Sequence, residues 1–163
     1  MEFTEITMSV ERLGRDLRVA SKTLSDDEAR FLVDAYYQMQ GNRIRSNNQI
    51  RQMEEKPHEV LGWLSTQADI LEKSVRASLD VYSDAHPIGR RIRTVVGVGP
   101  VIAAGLIAHI DISRAKTAGA IWKFAGLDPS AEWKKGKKRP HNAGLKTLCW
   151  KLGESFVKVS NHD

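Results

Sequence analysis

Val60, Leu61, Leu64, Ala68, Leu71, Val75, Leu79 and Tyr82 recur every three or four residues, so a single apolar stripe runs along more than 20 residues of this chain. A period near 3.6 buries one face of a helix, whereas a strand needs alternation. A second stripe, Phe31, Leu32, Ala35, Tyr36 and Met39, continues through Ile44, Ile50 and Met53. It is preceded by Ser25-Asp-Asp-Glu28, in which Ser25 accepts from the Glu28 amide while Glu28 reaches back, and the acidic first turn suits the helix dipole. Gly41 and Ser46-Asn-Asn48 weaken the pattern without ending it, and the helix is expected to stop near Glu54. Pro57 then fits the first turn of the next helix. Two long amphipathic helices joined by so short a turn predict an antiparallel helical hairpin, with a shorter helix ahead of it from about Ser9 to Ala20. With no alternating pattern between turn signals anywhere, the expected class is all-α.

Charge divides the 163 residues into two parts. Residues 1–85 hold 11 Lys/Arg against 15 Asp/Glu, a net of −4; residues 86–163 hold 14 against 5, a net of +9. We therefore expect a helical-hairpin, coiled-coil-like oligomerisation segment over 1–85 and a small basic helical domain over 86–163, whose natural partner is a polyanion. No run approaches the about 18 apolar residues of a membrane span. The N-terminus carries acidic residues where a signal peptide has basic ones. The single cysteine, Cys149, excludes an internal disulfide and a cysteine-rich zinc site. A cytoplasmic setting follows. The five histidines have no metal-ligand spacing, so neither a metal nor a cofactor is expected.

In the second half, Pro87 opens a short helix, and Val95-Val-Gly-Val-Gly-Pro100 leads directly into an apolar helix to about Ile110. Gly97 and Gly99 permit conformations closed to other residues, and Pro100 suits the first helical position. Outward-aimed amides in front of a helix make an anion site, and Arg90, Arg91 and Arg93 lie just upstream. Asp111–Ala125 is expected to form another helix, with Gly126 as its left-handed terminator. A loop follows in which Lys134, Lys135, Lys137, Lys138 and Arg139 occupy five of six positions, flanked by Trp133 and His141; a final amphipathic helix then carries Lys146. Trp133 is a candidate for stacking on an unpaired base. Gly97, Val98 and Gly99, with those cations and His141, are the expected backbone-gripping set. Phosphate contacts position a polymer without reading its sequence.

The run from Gly97 through Pro100 into a small-residue helix resembles a helix-hairpin-helix motif. The wider order, His86-Pro-Ile-Gly through Asp111, then Lys116–Ser130, then Lys135–Leu152, resembles the C-terminal domain of the insertion-sequence transposase family of the one-ten/one-sixteen type. That resemblance covers about residues 86–157 and implies binding to a DNA backbone, with RNA also within the family's range. It further implies a RuvC-like domain with acidic metal ligands, and a serine nucleophile in a Ser-Gly-Gly-Lys-like loop. The first 85 residues read as helix, with no strands to present carboxylates, and the equivalent loop is Glu132-Trp-Lys-Lys-Gly-Lys-Lys138, with lysines where the serine would lie. Ser130 belongs to the neighbouring Asp-Pro-Ser phrase and has no base placed to activate it. No catalytic residue is expected. The expected function is a DNA-binding protein of phage or mobile-element origin that self-associates through its helical hairpin. Two alternatives stay open: a non-autonomous transposase subunit acting with a partner chain, and a protein-interaction or inhibitor module using the basic face.

Overall fold

A computed structural model describes residues 12–53 and 58–160. The elements are α1 (Arg15–Ala20) with a 3-10 turn (Ser21–Thr23), α2 (Asp26–Arg51), α3 (Glu59–Ala85), α4 (Pro87–Ile92), α5 (Pro100–His109), α6 (Ala118–Ala125) and α7 (Ala143–Val159). The described residues contain no strand, so the chain is all-α. Among the described residues no helix is long and apolar enough to cross a membrane.

The capping box forms: Ser25 Oγ accepts from the Glu28 amide and Glu28 from the Ser25 amide. α2 runs unbroken through Gly41 and ends at Arg51, three residues short of the expected Glu54. The expectations for Pro57, Glu54 and the first residues of the leading helix, Ser9–Glu11, lie outside the described residues. α3 starts at Glu59, where the His58 ring nitrogen accepts from the Val60 amide. α2 and α3 are antiparallel. Tyr82 donates to Asp26, Arg43 pairs with Glu72 at 2.6 Å, and Ser65 donates to Asn47, so the partner number falls as the first rises. Glu72 is buried, and the two-nitrogen grip of Arg43 keeps its charge compensated.

Two expectations need correcting. Arg12–Gly14, expected within the leading helix, are not helical, and α1 starts only at Arg15 with Gly14 as its N-cap. Asp111–Ala125 is not a single helix: only Ala118–Ala125 is helical. The Asp111 carboxylate accepts from the Ser113 amide and hydroxyl, which folds residues 111–114 into a local turn, and Thr117 caps the helix from the Ala120 amide. Short polar side chains compete with the helix for backbone groups in this way. Gly126 ends α6 in the left-handed conformation as expected.

α5 is apolar on every side, and a helix of that kind must be enclosed. It is packed between α2 and α3 and covered by α7, with Val101, Ile102, Ala103, Ala104, Gly105 and Ala108 buried. A single core results. Ala29, Val33, Tyr36, Leu79 and Tyr82 come from the first half, and Val101, Ala104, Ala108, Ala125, Leu145 and Leu148 from the second.

Candidate nucleic-acid interface

The turn from α4 into α5 is a surface corner. Val98 donates to the Val95 carbonyl, and Gly97 takes φ +92°, a left-handed conformation costly to any residue with a Cβ. The ring of Phe156 and a methyl of Val159 on α7 lie against Gly97, and Ser155 donates to its carbonyl at 2.7 Å. Gly99 differs. It is the N-cap of α5 with φ −83° and ψ 173°, ordinary extended backbone, and open space surrounds its Cα. The amides of Gly97, Gly99, Val101 and Ile102 find no acceptor within the described residues, and no side chain caps α5. Donors left free at a helix N-terminus carry the positive end of its dipole.

These donors border a cleft of about 430 Å³ whose walls include Tyr36, Tyr37, Gln40, Arg76, Lys151, Glu154 and Lys158. Arg76 is exposed and has no ion-pair partner among the described residues. Lys151 and Lys158 share the single acid Glu154, at 3.9 and 2.8 Å, so three cations face one carboxylate. The hydrogen bond from Lys158 holds the Glu154 carboxyl below its usual range. Burial, then the neighbouring Tyr36 and Glu154, push the Tyr37 hydroxyl up to about 12, so it remains a donor. The corner thus faces a mainly cationic cleft.

The arginines expected to assist are spent elsewhere to different degrees. Arg93 pairs with Asp80 at 2.5 Å and with Asp84 at 3.8 Å, tying the end of α4 to α3. Arg90 donates to the Asp84 carbonyl, while Arg91 is exposed and unpaired. Arg76, Lys151, Lys158 and Tyr37 were not singled out from sequence. The seven-residue spacing of Lys151 and Lys158 places both lysines on one side of α7 and is a readable signal, but Arg76 and Tyr37 reach the cleft only through the folding of α2 and α3 around α5.

The lysine-rich loop lies at the other end of α7. Its base is fixed where the Asn142 amide donates to Phe124 and the His141 ring covers Gly126. Lys134, Lys135, Lys137, Lys138 and Arg139 are all exposed and without an ion pair, and Lys146 is exposed on the first turns of α7. The helix between the two sites has 17 residues, about 26 Å at 1.5 Å per residue. The fold therefore does not gather the expected residues into one patch; it sets the glycine corner and the lysine loop at opposite ends of α7. The Ser130 hydroxyl donates to the Asp128 carboxylate at 2.7 Å in an exposed local turn. Among the described residues no cluster of three potential metal ligands forms.

A glycine corner between two helices is followed by a basic loop and a closing helix. Residues 89–163 match the family described as Transposase IS116/IS110/IS902 family. Neither a curated protein nor a solved structure gives a significant match to the chain.

Proposed function

We propose that this transposase-related protein binds nucleic acid, DNA in the first instance, by its phosphate backbone. In this reading the α5 amides and the Arg76, Lys151 and Lys158 cleft hold one phosphate region, and the lysine loop with Lys146 holds another. The observation that carries the reading is the set of amides at Gly97, Gly99, Val101 and Ile102, without an acceptor among the described residues, bordering a cleft with excess positive charge. A separation of about 26 Å between the two sites corresponds to roughly eight phosphates along one strand at 3.4 Å each, so one backbone can reach both. The part-buried Arg93 network serves to hold the corner in place rather than to contact the polymer. Binding of the full chain to a duplex is expected to fall with salt, with a log–log slope of about −3 or steeper, as several released counterions require. A flat response would assign the basic surface to a protein partner instead.

The far half of the α2–α3 hairpin supports the accompanying proposal of self-association. Ile44, Val60, Trp63 and Leu64 are each about half exposed there, and scattered large apolar side chains on one extended surface suit a second copy of the same hairpin. Sedimentation at micromolar concentration is expected to give at least a dimer, and Trp63→Glu with Leu64→Glu to shift it to monomer. A wild-type monomer would remove this part of the reading.

A further inference from the structure

We infer that the lysine-rich loop is a preformed seat for an unpaired nucleobase, with Trp133 as its floor; this rests on the nucleic-acid reading and specifies which form of nucleic acid the loop selects. The loop is ordered by the tryptophan. The indole N–H donates to the Lys137 carbonyl at 2.8 Å, while the Lys137 amide donates to the Lys134 carbonyl, closing a turn around Gly136 at φ +81°. The Arg139 guanidinium lies over the ring, 5.2 Å from its centre. The ring is thus fixed at its edge and backed by a cation, yet Trp133 stays 55% exposed.

A residue that only braced the loop would gain by burying its ring, since exposed apolar area is unfavourable in water. Here the ring is oriented and left open. Lys134, Lys135, Lys137 and Lys138 follow it directly in the loop, all exposed and without an ion pair among the described residues, with Glu132 the one acid in the segment 132–139. A flat aromatic face beside a run of exposed cations matches a nucleotide, whose base stacks while its phosphates meet the lysines. Bases inside a duplex are already stacked on both sides and have no face to offer. The seat therefore selects a single-stranded, looped or extruded nucleotide, and because the ring is already held, little ordering is lost on binding. Stacking is indifferent to base identity, so the loop distinguishes unpaired from paired strands without reading sequence.

The test compares the full-length wild type with W133A and W133F by fluorescence anisotropy on three probes: a 20-nucleotide mixed-sequence DNA strand, the same sequence as RNA, and the DNA duplex. The expected result is that W133A weakens single-strand binding by roughly five- to hundred-fold and duplex binding by less than about two-fold. W133F, which keeps an aromatic face, should retain most of the single-strand affinity. Thermal midpoints should be unchanged, because the loop is outside the core. Equal loss on single-strand and duplex probes would make Trp133 a brace for the lysine turn and overturn the proposal, as would no loss on any probe. If wild type binds duplex with steep salt dependence while Trp133 proves irrelevant, the backbone-binding reading survives and this inference fails. If wild type binds none of the probes, both fail. Matching behaviour on the DNA and RNA strands supports a seat for the base; a W133A effect confined to one of them assigns the seat to that polymer.

Discussion

Gly89→Ala is expected to destabilise the protein by about 3 kcal/mol or more, at the upper end of what forcing extra atoms into a packed interior costs. A Cβ on Gly89 would sit 2.0 Å from the carbonyl oxygen of Ser83 and 2.7 Å from a methyl of Ile107. The first of these is main chain at a fully buried residue and cannot rotate away. Either α4 moves off the end of α3 or the junction at His86 opens. Arg93 rides on the same helix and is tied to Asp80 and Asp84, so those pairs would loosen too. In thermal unfolding the midpoint should drop by roughly 10 °C for a chain of this size. Gly62→Ala is the matched control. Gly62 lies within α3 with open space around it, and alanine there should gain up to about 1 kcal/mol through its better helix propensity. If Gly89→Ala and Gly62→Ala behaved alike, the close crossing of α3 and α4 would be wrong.

Gly99→Asp should separate binding from folding by moving them in opposite directions. The backbone at this N-cap already has the conformation that aspartate favours, and nothing obstructs the side chain. A carboxylate there accepts from the free amides of α5 and meets the positive end of its dipole, so stability should hold or rise by a few tenths of a kcal/mol. The same carboxylate occupies the proposed phosphate position. Duplex affinity at low salt should fall roughly tenfold or more, as like charges brought together in a binding site cost several kcal/mol. Gly99→Asn caps equally well without the charge and should bind nearly as wild type does. Full affinity in Gly99→Asp would remove the corner from the interface. Gly97 is unsuited to this purpose, because its φ of +92° and its contacts with Phe156 and Val159 make any side chain there a folding defect.

The helices were legible where a single local signal decided them. Ser25 with Glu28, Pro100 after Gly99, and Gly126 after Ala125 mark ends through capping and backbone geometry that depend on a few neighbouring residues. The stripe from Val60 to Tyr82 gave α3 because its period is strong. The segment Asp111–Thr117 misled because its apolar content suits a helix, while the side chain of Asp111 offers its own backbone a competing bond. The glycine corner was readable as a tight turn ahead of a helix, but the cleft beside it was not. Tyr37 and Arg76 stand about 60 and 20 residues from Gly97 along the chain, and no local pattern states that α2 and α3 fold around α5. Arg93 shows the converse. It looked available in sequence and is occupied by Asp80, a partner 13 residues away.

The enclosure of α5 has a consequence for how such a protein could be taken apart or have arisen. Its transposase-type region does not carry a finished interior of its own. Val101, Ala104 and Ala108 lie against Ala29, Val33, Leu79 and Tyr82 of the preceding helices, so a fragment cut at residue 86 would bring oily surfaces into water and clump. The acidic helical arm is the mould in which the basic portion sets, so the basic portion is expected to fold only when both are expressed as a single piece.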